Sequence, residues 1–215
     1  MKQIIKSMVI VAITAFIAPV LNAQNNNSGS YSGSIKEGQF SFLICNKTIT
    51  GTMKSDWKFG TPKTIDVTLK GDGIDIKTNT TSTETFSGYY TERIDVFSGT
   101  VNGQPVSGNF TKTYLAGFKG AVKIGDKTIT PDKTYLNYTL NYGGTVITCK
   151  RKVGTKQKFN MVWGDKKIDG TVNSKVNLGK NTMSSEYAFT SPDMSNDEIA
   201  IWLFLFVSSE IFSGR

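Results

Sequence analysis

The chain contains no histidine. Ser-His-Asp and Cys-His nucleophilic machinery and the usual zinc ligand sets all need an imidazole, so those classes are excluded. Cysteine is almost as scarce. Cys45 and Cys149 stand alone and far apart, so there is no CxxC redox or metal motif. Arg93, Arg151 and Arg215 are the only arginines. Readers of nucleic acid favour planar, bidentate guanidinium forks. The surplus of 25 basic over 17 acidic residues therefore reads as solubility and general anion attraction, with no nucleic-acid partner. No Walker loop and no GxGxxG following a strand is present, and no cofactor is expected. No apolar run reaches the ~20 residues that cross a bilayer as a helix, so an integral membrane protein is not expected.

What is there begins with a leader pattern. Lys2 and Lys6 precede an apolar run from Met8 to Val20, and Ala23 suits the −1 position of a signal peptidase site. We expect residues 1–23 to be a signal peptide cleaved after Ala23; the alternative is an uncleaved anchor. No cysteine follows the site, which disfavours a lipoprotein. Losing Lys2 and Lys6 takes the formal charge from +8 to +6. Residues 24–37 read as a polar flexible segment and 38–215 as a single β-rich domain ending in a helix over 196–213. An exported chain, periplasmic or extracellular, meets oxidising conditions. A disulfide between Cys45 and Cys149 is then geometrically possible if their predicted strands, Phe40–Cys45 and Thr145–Lys150, are neighbours; the alternative is two buried thiols.

Periodicity of two dominates the body of the chain. Phe40, Phe42 and Ile44 alternate with Ser41 and Leu43; Ile65, Val67 and Leu69 alternate with Asp66 and Thr68. Tyr138, Leu140 and Tyr142, and then Phe159, Met161 and Trp163, repeat the pattern, which is that of half-buried strands. Asp72-Gly73, Asn102-Gly103, Gly125-Asp126, Gly143-Gly144 and Gly164-Asp165 supply hairpin turns between the runs. Phe40–Ser55 echoes Phe159–Ser174 without gaps, at six of sixteen positions, including Phe40/Phe159 and Gly51/Gly170. The echo reads as a duplication or as two hairpins answering the same chemistry.

The C-terminus changes period. Ser195 and Glu198 form a capping box, and Ile199 to Val207 is apolar all round. Such a helix must be surrounded. The fold class expected is thus mostly β: an antiparallel sheet of about twelve strands, closed or nearly closed into a barrel, with one buried apolar C-terminal helix.

This order resembles the tubby C-terminal-like fold shared with phospholipid scramblases and LURP-one-related proteins. The residues that carry it are Phe159–Val172 with Ile168-Asp169-Gly170, then Tyr187-Ala188-Phe189, then Asp197 before the apolar helix. The resemblance implies a barrel threaded by a helix, and lipid or phosphoinositide association.

Lys150, Arg151, Lys152, Lys156 and Lys158 form the densest basic stretch, with Lys166 and Lys167 nearby. On a hairpin, alternate members share a face that suits anionic lipid or an acidic glycan; the plain alternative is a charged edge hairpin. Asp72-Gly73-Ile74-Asp75 has calcium-loop flavour but reads more simply as a turn. Glu84, Glu92 and Asp95 are candidate paired carboxylates, with Glu92, Arg93 and Asp95 read more simply as exposed strand residues. Trp57 and Tyr89-Tyr90 are candidates for a ligand-facing surface, whereas Trp163 and Trp202 read as core. The function expected is an exported, non-catalytic binding or interaction protein of the cell envelope, contacting anionic lipid, a glycan or an envelope protein. The alternative is a histidine-free carbohydrate-active enzyme using paired carboxylates.

Overall fold

The structure is a computed structural model. It describes residues 24–34, 36–58, 61–86, 91–113, 117–133, 137–142, 144–152, 157–177, 179–180 and 182–213. The segment read as a leader lies outside them.

Among the described residues fourteen strands precede a helix. They are β1 (Asn25–Gly33), β2 (Glu37–Ile44), β3 (Lys47–Lys58), β4 (Thr61–Gly71), β5 (Ile74–Phe86), β6 (Thr91–Val101) and β7 (Gln104–Thr113). Then follow β8 (Gly117–Ile124), β9 (Lys127–Lys133), β10 (Asn137–Tyr142), β11 (Thr145–Lys152), β12 (Gln157–Trp163), β13 (Lys166–Asn177) and β14 (Thr182–Ser191). The helix α1 spans Asn196–Ser213. Each strand pairs antiparallel with the next, and β1 pairs with both β2 and β14.

The two-residue turns explain the hairpins. Asp72-Gly73 and Asn102-Gly103 hold positive φ at both positions, the geometry that matches strand twist. Cys45-Asn46 does the same, with φ of 48° and 61°. Cys45 is therefore a turn residue and not the end of a strand, as the alternation suggested. Its N–H donates to Asn27 Oδ1 at 2.8 Å, and its sulfur lies 3.7 Å from Ser191 Oγ.

Cys45 is a free thiol, so the bridge to Cys149 drawn from the sequence is not formed. The condition for it fails: β11, which carries Cys149, pairs with β10 and β12, whereas the turn of Cys45 joins β2 and β3.

The polar tract also departs from expectation. Asn25–Gly33 is β1, a strand, although Asn, Ser and Gly disfavour strands. Its backbone is paired on both flanks, Gly29 to Phe42 on one side and to Tyr187 on the other. Two inward side chains anchor it. Asn27 donates to Ser191 Oγ at 2.8 Å, and Tyr31 packs on Phe40 with ring centroids 4.9 Å apart. Burial pushes the Tyr31 phenol up to about 12, with Tyr187 and Glu37 adding to the shift.

The core sits between the inner faces of the strands and α1. Ile199 to Val207 are all buried, as the all-round apolar pattern requires. Phe206 meets Phe159 at 5.3 Å, Tyr187 at 5.1 Å and Phe42 at 6.4 Å; Phe204 meets Phe97 at 6.0 Å. Those partners lie on β2, β6, β12 and β14, so strands from both halves of the sequence pack on the helix. Fully burying one such side chain stabilises by roughly 1.5–3 kcal/mol. Among the described residues no helix is long and apolar enough to cross a membrane.

The helix entrance is fixed by the residues that mark it in sequence. Glu198 N–H donates to Ser195 Oγ at 3.3 Å, and Ser195 N–H donates to Glu198 Oε2 at 2.8 Å. Lys166 Nζ reaches Glu198 Oε1 at 2.6 Å, and Asn102 Nδ2 donates to Asp197 Oδ1 at 3.1 Å. Turns of two hairpins thus hold the first turn of α1. Burial alone raises the Glu198 carboxyl, but the hydrogen bonds from Lys166 and Ser195 outweigh it and hold the group below its usual range.

Candidate functional site

Asp72 is a turn residue whose Oδ2 accepts the Thr48 N–H at 2.6 Å. Among the described residues no cluster of three or more Cys, Asp or Glu side chains is placed to hold a metal ion. Glu84, Glu92 and Asp95 do not all share one face. Glu84 stands opposite Arg93 and Asp95 opposite Ser82, on the inward parity of β5 and β6, whereas Glu92 falls on the other face.

Arg93 and Asp95 are not the exposed strand residues that the sequence suggested. They are 8 % and 5 % exposed. Arg93 Nε donates to Asp95 Oδ1 at 2.8 Å, and Arg93 Nη2 reaches Ser82 Oγ at 3.1 Å, with Ser82 donating to the same Asp95 oxygen. A charged pair turned inward must be satisfied within the protein, and this one is. It is a structural cluster.

The basic stretch divides by strand register. Lys150, Arg151 and Lys152 lie on β11 and Lys158 on β12; Lys156 lies outside the described residues. Lys152 stands opposite Lys158 and Lys150 opposite Asn160. Arg151 stands opposite buried Phe159 and takes the other parity. Register therefore groups Lys150, Lys152 and Lys158 and leaves Arg151 out. Of the nearby lysines, Lys166 pairs with Glu198 at the helix entrance and Lys167 with Asp169 Oδ2 at 2.8 Å. Trp163 and Trp202 are core, as expected. The Trp57 side chain and Tyr89-Tyr90 lie outside the described residues.

Lys158 borders a depression of about 820 Å³ on the outer face of β12, β13, β14 and β1. Two cross-strand rows build it. One runs Asn160–Asp169–Thr190–Asn26 and the next Lys158–Thr171–Ala188–Ser28, each set by the ladder pairings. The outward side chain at its middle is small: Ala188 is exposed, while Gly170 beside it has inward parity, opposite Phe159 and Phe189. The rim is polar. Asn160 Nδ2 donates to Asp169 Oδ1 at 2.5 Å, and the hydrogen bond from Lys167 holds the Asp169 carboxyl below its usual range. Asp169 is thus ionised and fixed near neutral pH.

Sequence reasoning reached Lys158 but not Asn160, Asp169, Thr171, Thr190 or Asn26. These come from four strands, and only a knowledge of register assembles them. No family model matches the chain, and neither a curated protein nor a solved structure matches it.

Proposed function

We propose that the chain is an exported, non-catalytic binding protein of the cell envelope whose outer β11–β12 face receives an anionic partner. The observation that carries this reading is the direct opposition of Lys152 and Lys158, with Lys150 on the same parity. Like charges directly across a ladder destabilise it, and an anion lying over them removes the penalty. The 820 Å³ depression that begins at Lys158 gives that partner somewhere to rest.

The scaffold is read as a barrel: the ladder order returns to β1, and α1 fills the interior. That filling argues for binding at the surface and not in a central cavity. The same order underlies the resemblance to tubby-like and scramblase proteins, and that resemblance is a reason to include anionic lipid among the partners tested. The carbohydrate-active alternative has less behind it. Asp169 is held below the usual carboxylate range, the wrong direction for a general acid.

The test is co-sedimentation of the mature chain with phosphatidylglycerol vesicles and with polygalacturonate, at low and at physiological salt. The comparison is a variant with Lys150, Lys152 and Lys158 all changed to Gln. At about 1 kcal/mol per lysine near an anionic surface, the variant loses about a hundredfold in affinity for whichever probe binds. Equal binding by both proteins, or binding of neither probe, overturns the reading.

A further inference from the structure

We infer that the depression over β12, β13, β14 and β1 is a glycan-binding site, and that its ligand is an acidic polysaccharide. The inference rests on the anionic-partner reading and names the partner's class. Three features of the site point to a sugar chain.

The first is the pairing of a carboxylate with an amide. Asp169 is ionised and accepts from Asn160 and Lys167, and a carboxylate has about four acceptor sites, so lone pairs remain. Asn160 spends one amide hydrogen on Asp169 and keeps its other hydrogen and its carbonyl. Side by side, the two groups match adjacent hydroxyls, each of which both donates and accepts.

The second feature is shape. The row Asn160–Asp169–Thr190–Asn26 crosses four strands. At ~4.8 Å per strand it forms a polar track about 14 Å long. A track at right angles to the strands fits a short run of linked sugars better than a single headgroup. The exposed Ala188, in the adjoining row, gives the carbon face of a sugar ring a small apolar floor.

The third is the arrangement of charge. Lys158 is exposed on β12, two residues from Asn160 and hence about 7 Å away on the same face. An acid group on the sugar reaches Lys158 while its neutral hydroxyls meet Asn160 and Asp169. A phosphate headgroup, by contrast, has little use for an ionised carboxylate on the rim.

The experiment titrates the mature protein with polygalacturonate oligomers, neutral galactan oligomers and phosphatidylglycerol vesicles. It compares wild type with Ala188→Trp, which fills the floor from the exposed side, and with Asp169→Asn. The result expected is binding of the acidic oligomer, at least tenfold tighter than galactan. Ala188→Trp weakens it at least tenfold with an unchanged melting temperature, and amide shifts on titration are confined to β12–β14 and β1. Acidic-oligomer binding that Ala188→Trp leaves intact but the Lys150, Lys152 and Lys158 changes abolish overturns the glycan site and leaves the basic-face reading standing. Preference for the vesicles over the oligomer also overturns the site. Binding of neither anionic probe removes both.

Discussion

At the scale of single residues, the sheet around α1 depends on glycines that make room for rings. Gly29 stands between Phe42 and Tyr187, and Gly170 between Phe159 and Phe189. A Cβ at Gly170 meets Phe159 Cζ at 2.4 Å and Phe189 Cβ at 2.7 Å. Both rings are already pressed against α1, through Phe206 and Trp202 respectively, so neither has anywhere to go. Gly170→Ala should destabilise the protein by about 1–3 kcal/mol, the usual cost of overpacking a filled core, measured by chemical unfolding. An unchanged midpoint would show that the rings are not confined. The internal echo matches Phe40 with Phe159 and Gly51 with Gly170, and each phenylalanine pairs with its glycine across a hairpin, but a Cβ at Gly51 meets Thr68 and Leu69 and not a ring, so the echo did not reveal the room that Gly170 makes. Arg93 and Asp95 were not legible. Their inward parity opposes what charge suggests, and it is tolerable because the two charges pair with each other and with Ser82.

At the scale of elements, the helix was readable and the first strand was not, for one physical reason. The start of α1 is encoded by groups within four residues of each other, Ser195 and Glu198, and the structure shows both halves of that exchange. The identity of β1 is encoded by what flanks it in space. Nothing local in Asn-Asn-Asn-Ser-Gly predicts a strand, and its pairing to β14 spans the length of the chain. The candidate site belongs with β1, since its rows exist only once four strands are in register. The helix entrance carries a pH signature. Lys166 and Ser195 stabilise the ionised Glu198, so its folded pKa lies below the ordinary 4.5. A depressed carboxylate contributes stability that is present above its unfolded pKa and lost as pH falls through the folded one. Thermal stability should therefore fall below about pH 4.5 more steeply in wild type than in Lys166→Gln, which lacks the partner. Parallel acid profiles for the two proteins would mean that the ion pair does not tie the helix to the β12–β13 turn.

At the scale of the whole molecule, β1 pairs with strands from opposite ends of the chain. It lies between β14, near the end of the chain, and β2, near its start, and so turns two strand edges into continuous ladder. It does this with little packing, since its buried side chains are Asn27 and Tyr31. Most of its hold is backbone pairing on both flanks. Without it, β2 and β14 each present a row of unpaired N–H and C=O groups, which other chains readily complete. The rings of Phe42 and Tyr187, now covered by Gly29, would be uncovered with them. A chain lacking residues 24–33 should therefore keep its helix content but elute from size exclusion as dimers and larger species. Adding the peptide Asn25–Gly33 in excess should return the monomer, because it restores pairing to both edges at once. The outer face of the candidate site loses Asn26 in the same truncation, so its ligand affinity should recover with the peptide as well. A truncated chain that stays monomeric with an unchanged melting temperature would mean that the edges of β2 and β14 are covered without β1, and that β1 adds little to the sheet.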